Sequence, residues 1–128
     1  MRILLDTNVF LWLLLDDPKL SQASKALFLD QATEPLLSMA SVWEIFIKHR
    51  IGKLSIPGNP ASFIREQLRI NSIGLLPIHY AHLEGILSLP MIHKDPFDRI
   101  IIAQAVHEHL AVLSSDPVFM EYGVPNLY

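Results

Sequence analysis

The residues best suited to chemistry are four acids far apart in the chain: Asp6, Glu44, Asp98 and Asp116. Each stands where an apolar run gives way to an expected helix start. Asp6 follows Ile3-Leu4-Leu5, and Glu44 comes shortly after Pro35-Leu36-Leu37-Ser38. Asp98 lies in His93-Lys94-Asp95-Pro96-Phe97-Asp98-Arg99, and Asp116 follows Leu110-Ala111-Val112-Leu113. In a parallel α/β fold, strand ends of one polarity share one edge of the sheet. Acids spread along the whole chain would then meet in one small space. Carboxylates so gathered repel one another unless a cation holds them, which predicts a divalent metal site.

Each acid taken alone has a simpler explanation, as a helix cap. Ser41-x-x-Glu44 fits a capping box. In Asp95-Pro96-Phe97-Asp98, Asp95 suits the N-cap, proline the first helical position, and an acid follows three residues on. Asp116-Pro117 repeats the pattern, and Asp6 could cap the first helix. Negative charge at helix starts also suits the helix dipole. Capping, however, does not require the helix starts to share an edge. The two roles also coexist: Asp95 and Ser41 can cap, leaving Asp98 and Glu44 free to point inward.

Other chemistries find less support. The chain has no cysteine, which excludes disulfides, thiolate catalysis and thiolate zinc sites. His79-x-x-His82 has metal-like spacing but no evident third nitrogen or sulfur ligand. A packing role is the better reading there, and also for His93, His107 and His109. Lys48-His49-Arg50 with Lys53 forms a basic cluster at a helix end. It reads equally as a dipole interaction and as a phosphate contact. No Gly-rich phosphate loop and no Gly-x-Ser-x-Gly elbow is present.

The elements that must position the acids alternate between short strands and helices. Strands are expected over residues 3–5, 35–38, 73–78 and 111–113, with a possible edge strand over 124–127. Helices are expected over 9–15, 21–31, 42–50, 61–71, 79–87, 97–109 and 116–121. Gly52 closes the third of these helices, and Pro57-Gly58-Asn59-Pro60 marks a loop. The alternation indicates crossover units and a parallel sheet. No internal repeat and no linker divides the chain.

A length of 128 residues suits one domain with a real core. Hydrophobic residues make up 51% and charged ones 18%. That is apolar for such a domain and suggests a surface covered by a partner. The formal net charge of −3 assigns any nucleic-acid contact to a local basic patch or to bound metal. The apolar run from Val9 to Leu15 is preceded by an acid and lacks a signal-peptide cleavage pattern. No stretch reaches the roughly 18 apolar residues of a membrane span. The expected location is the cytoplasm, without membrane attachment.

With these residues in view, the chain resembles the PIN-domain ribonucleases, specifically the VapC toxins of bacterial and archaeal toxin–antitoxin pairs. Four segments carry the resemblance: Leu4-Leu5-Asp6-Thr7-Asn8, Ser41-Val42-Trp43-Glu44-Ile45, the segment from His93 to Arg99 running on to Ala103-Gln104-Ala105, and Ser114-Ser115-Asp116-Pro117-Val118-Phe119. They span nearly the whole chain in the family's order. The resemblance implies a single PIN domain over residues 1–128, a three-layer α/β fold around a mainly parallel four- or five-stranded sheet. It implies an acidic site on Asp6, Glu44, Asp98 and Asp116, with Thr7, Asn8, Asp95 and Ser114 as supporting residues. Ser114 stands where many members carry threonine. It further implies hydrolysis of RNA phosphodiesters with Mg²⁺ or Mn²⁺, leaving a 5′-phosphate and a 3′-hydroxyl. Asp6, Asp98 and Asp116 would hold the first ion, and Glu44 a water or a second ion. A cognate antitoxin and a homodimer are the implied partners. Candidate RNA contacts are Lys48, Arg50, Lys53 and Arg99, with Arg65 and Arg69 on a further face.

Rival readings are a non-toxin PIN-like nuclease, an acidic metal-dependent phosphatase-like or receiver domain, and a non-catalytic binding module whose acids only cap helices. Haloacid-type phosphatases need Asp-x-Asp after the first strand, whereas the third residue here is Asn8. A receiver's later lysine and hydroxyl have no clear equivalent.

Overall fold

In the computed structural model, which describes residues 1–128, the chain opens with β1 (Arg2–Leu5) and α1 (Thr7–Leu15). There follow α2 (Gln22–Leu29), β2 (Glu34–Ser38), α3 (Met39–Arg50), α4 (Pro60–Ile70) and β3 (Gly74–Leu76). The chain ends with α5 (Tyr80–Ile86), α6 (Pro96–Glu108), β4 (Ala111–Leu113) and α7 (Val118–Glu121). The four strands lie in the order β3-β2-β1-β4, and every pairing is parallel. The chain therefore steps outward from β1 through β2 to β3, then crosses back to set β4 on the other side of β1. That reversal makes the β1/β4 boundary the switch point, where a crevice opens beyond the carboxyl ends of the strands.

Strand alternation divides the apolar residues between two cores. Ile3, Leu5, Leu37 and Leu113 face one side, with Val9, Phe10, Ile45, Ile64 and Leu68. Leu4, Val112 and Leu76 face the other, with Ile101, Ile102 and Phe119. Both faces of β1 are covered, as a parallel sheet requires, and Ile3, Leu4 and Leu5 are buried. The result is the three-layer α/β arrangement the sequence predicts.

Two expectations are corrected. Residues 124–127 do not form a fifth strand but make one isolated parallel bridge, Val112 to Asn126. Val112 donates to Pro125 O and Leu127 donates to Val112 O. Pro125 has no N–H with which to extend the ladder. The other correction concerns Ser41, which does not open α3. The helix starts earlier because Ser38, at the very end of β2, caps it by accepting from the Ala40 amide at 3.0 Å. Ser41 is buried inside the first turns, so the Ser41–Glu44 capping box does not form. At the other end, Gly52 takes the left-handed conformation (φ 79°) that ends this helix cheaply.

Ser38 also ties the layers together. Its hydroxyl donates to Gln104 Oε1 of α6 at 2.5 Å, and Gln104 Nε2 donates to Pro77 O at 3.2 Å. Ser38 and Gln104 are both fully buried. Replacing Ser38 with alanine removes a cap and strands a buried amide oxygen. The expected cost is about 2–3 kcal/mol in urea unfolding. A loss below about 0.5 kcal/mol would show that Gln104 is held by other means.

Candidate metal centre

The acids sit at the switch point because β1 and β4 stay paired up to it. The Asp6 amide donates to Leu113 O at 3.0 Å. Asp6 occupies the N-cap place of α1 with extended backbone, yet its carboxylate makes no capping hydrogen bond. Instead, Ser114 Oγ donates to Asp6 Oδ2 at 2.8 Å. Ser114 is clamped in turn by Asn126, which accepts from its amide at 3.1 Å and donates to its carbonyl at 2.7 Å. The Asp116 amide donates to the same Ser114 hydroxyl at 3.0 Å. Asp116 Oδ1 accepts from the Val118 amide at 3.0 Å in the turn ahead of α7, which leaves its second oxygen for other work.

Glu44 arrives from α3. Thr7 Oγ1 lies 2.8 Å from Ser41 Oγ and 2.9 Å from Glu44 Oε1. An ionised carboxylate only accepts, so the Thr7 proton goes to Glu44 and Ser41 donates to Thr7. One turn on, Lys48 Nζ reaches Glu44 Oε2 at 2.6 Å. Asp98 arrives from α6. Asp95 caps that helix, accepting from the Phe97 and Asp98 amides at 2.9 and 3.3 Å. Asp98 is thereby free to face inward, where its Oδ2 lies 2.9 Å from His93 Nε2. Trp43 and Phe97 meet edge-on, centroids 5.1 Å apart, where α3 and α6 converge.

These side chains enclose a cavity of about 250 Å³ with no hydrophobic lining: Asp6, Thr7, Asn8, Glu44, Lys48, His93, Asp95, Asp98 and Asp116. A larger cavity of about 750 Å³ lies at the opposite sheet edge, but Glu108 is its only carboxylate. The small cavity is the one with chemistry.

Its electrostatics follow from crowding. Burial pushes Asp98 up to about 6, against the His93 hydrogen bond, and the charges of Asp6 and Asp95 add to the rise. Burial also raises Asp6, opposed by Ser114 and the Thr7 amide and reinforced by Glu44 and Asp116. The bond to Glu44 raises Lys48, with Asp95 and Asp98 adding to it. These carboxylates are packed more closely than their charge alone allows, a condition that a divalent cation relieves. Carboxylate oxygens with one imidazole also form a donor set that suits such an ion.

Asp6, Glu44, Asp98 and Asp116 thus meet, with Thr7, Asn8 and Asp95 beside them and Ser114 bonded to Asp6. Lys48 joins them, whereas Arg50 and Lys53 lie exposed outside the cavity. Arg65 and Arg69 are exposed on α4, and Arg69 is engaged with Glu66. Arg99 as an RNA contact is corrected. It is buried and donates to Ile86 O, Pro90 O, His93 O and Tyr122 Oη at 3.0–3.3 Å. Buried and turned onto these oxygens, the guanidinium is not presented at the surface to a phosphate. His93 is the opposite case: assigned to packing, it lines the site. The signal was its place in the same short segment as Asp95 and Asp98.

The PIN domain family model matches residues 3–125. The chain belongs to the PIN domain family. Over 59 residues it is 37% identical to Ribonuclease VapC16 of Mycobacterium tuberculosis, covering 46% of this chain and only 42% of that relative. VapBC2 from Rickettsia felis, solved bound to a DNA fragment from its promoter, aligns with a TM-score of 0.75 at 14% identity, covering 98% of this chain and 97% of that one. FitAcB from Neisseria gonorrhoeae aligns with a TM-score of 0.67 at 24% identity, covering 100% and 97%. At these identities the two structures share with this PIN domain its fold.

A carboxyl with its folded pKa raised from 3.8 to about 6 weakens the fold as pH climbs through that interval. For the metal-free protein this loss is up to about 3 kcal/mol, complete by neutral pH. Asp98→Asn should match wild type at pH 4 in EDTA and exceed it in stability at pH 7. Equal urea midpoints at pH 7 would contradict the crowding described above.

Proposed function

We propose that this PIN domain is a metal-dependent endoribonuclease acting in the cytoplasm as the toxin of a toxin–antitoxin pair. The observation that carries the reading is the meeting of Asp6, Glu44, Asp98 and Asp116 in one wholly polar cavity. The name of the mycobacterial relative and the toxin–antitoxin complex among similar folds, from Klebsiella pneumoniae (TM-score 0.65, 17% identity), support it.

Asp6, Asp98 and Asp116 would hold Mg²⁺ or Mn²⁺, with Glu44 at the edge of the site. The ion would supply an activated water and neutralise charge building on the phosphate. The chain's own groups fix the rest. Ser114 holds one Asp6 oxygen, so that carboxylate cannot turn away from the cavity. Thr7 and Lys48 fix the Glu44 carboxylate from both of its oxygens, where it would orient an attacking water and take up its proton. Lys48, half-exposed at the rim, is the chain's cation placed to meet an RNA phosphate. No Ser, Cys or His stands as a protein nucleophile, in keeping with direct attack by water.

Partners are an antitoxin and a second copy of the chain. The apolar side chains left exposed support both: Trp43 and Ile51 on and beside α3, and Tyr80, Leu83, Leu87 and Met91 along and beyond α5. No helix is long and apolar enough to cross a membrane.

Purified protein should cleave RNA with magnesium or manganese, with activity lost at least about 100-fold in EDTA. Folded Asp6→Asn and Asp98→Asn proteins should be equally impaired. Undiminished cleavage in EDTA would refute the metal reading. Expression alone should arrest growth, and co-expression of the gene immediately upstream should restore it. Unhindered growth with active nuclease present would leave a nuclease without a toxin role.

A further inference from the structure

We propose that His93 is itself a metal ligand, giving the acidic cavity a nitrogen donor that favours Mn²⁺ and similar first-row ions over Mg²⁺. The inference rests on the metal-site reading above. It starts from spacing. His93, Asp98 and Asp116 each offer a ligand atom, and the three atoms lie within 4.8 Å of one another. His93 Nε2 and Asp98 Oδ2 are 2.9 Å apart. Adjacent ligands of an octahedral ion with bonds of about 2.1 Å stand about 3 Å apart.

The proton on the ring decides whether such spacing can be used. A neutral imidazole carries one N–H, and only the bare nitrogen can bind a metal. His93 Nδ1 makes no hydrogen bond within the chain, and the side chain is 31% exposed. Solvent can therefore take an Nδ1 proton, so that a bound ion can replace the proton that Nε2 and Asp98 share across 2.9 Å. A second cluster, His82, His107 and Glu108, has comparable spacing and fails this test. His82 Nδ1 accepts from the His79 amide at 3.0 Å. Its proton therefore sits on Nε2, where it is donated to Glu108 at 3.1 Å. That histidine is a buried structural link, as its packing assignment expects.

The backbone holds His93 in place from two directions. Its amide donates to Tyr122 Oη at 2.8 Å, and its carbonyl accepts from Arg99 Nη1 at 3.3 Å. Arg99 and Tyr122 are themselves joined at 3.2 Å. A buried guanidinium and a tyrosine from two helical regions thus fix one loop residue. Charge also favours this side of the cavity. Glu44 already has Lys48 and Thr7, whereas no lysine or arginine lies within bonding reach of Asp6, Asp98 or Asp116. An imidazole there adds little for Mg²⁺, which prefers oxygen, and more for ions later in the first row.

The test loads the full-length protein with Mn²⁺ and records electron spin echo modulation. Wild type should show ¹⁴N coupling to the ion, replaced by ¹⁵N coupling when only histidine is ¹⁵N-labelled. His93→Gln should lose the coupling. Its Mn²⁺ affinity should fall by about tenfold while Mg²⁺ affinity changes less than about threefold. Bound Mn²⁺ without histidine coupling in wild type overturns the inference and leaves the metal site standing. It would make His93 a group that only orients Asp98. Coupling that persists in His93→Gln also overturns it. Failure of wild type to bind Mn²⁺ at all overturns both readings. The labelling experiment needs no variant, so a misfolded His93→Gln protein would not blunt the test.

Discussion

The structure is organised around a repulsion. Several carboxylates occupy one small cavity, and unit charges 4 Å apart interact by about 1 kcal/mol in bulk water and about 4 kcal/mol at the effective dielectric of a protein surface. Nothing about such a cluster holds itself together. Each acid is kept in place by a neighbour that is anchored elsewhere. Ser114 holds Asp6 and is clamped by Asn126. Thr7 holds Glu44 from the first turn of α1. Asp95 takes over the capping of α6, so that Asp98 need not. The fold brings the acids together by topology and then spends polar contacts to prevent their parting.

This explains why the outline of the fold was legible in the sequence and parts of the site were not. Apolar runs at Ile3–Leu5 and Ala111–Leu113, each ending in polar residues, mark buried parallel strands regardless of what surrounds them. The acids follow directly from those strand ends. Ser41 was misread because local pattern cannot distinguish two serines three residues apart as caps. Ser38 wins because Gln104, 66 positions later, receives its hydroxyl. Arg99 was misread because a basic residue next to an acid in sequence looks like surface. Its acceptors are mostly backbone carbonyls, of Ile86 at the end of α5 and of Pro90 and His93 in the loop that follows, and carbonyls carry no sequence signature. The fifth strand failed for a reason that is written in the sequence, since Pro125 cannot donate.

The apolar composition divides the same way. The cores fill from the strands and from the inward faces of α1, α3, α4, α6 and α7, where side chains are almost fully enclosed. The remainder is not scattered at random. Tyr80 is 78% exposed, Leu87 88% and Met91 75%, all within one stretch from α5 to the loop that follows it. That loop leads into His93, whose backbone Arg99 and Tyr122 hold. The least covered apolar surface and one wall of the acidic cavity are therefore consecutive in the chain.

The cavity is also asymmetric. At the α3 side, Lys48 reaches Glu44 at 2.6 Å, so one carboxylate has its counter-charge built into the chain. At the α6 side, Asp98 is pushed up to about 6 by burial with only His93 against it. A divalent ion gains most where negative charge is least compensated, and that is among Asp6, Asp98 and Asp116. An ion at that side need not displace Lys48. Glu44 then keeps its lysine and its threonine, and stays fixed on the α3 side of the cavity. A cation belonging to the chain and one taken from solution would thus divide the cluster between them.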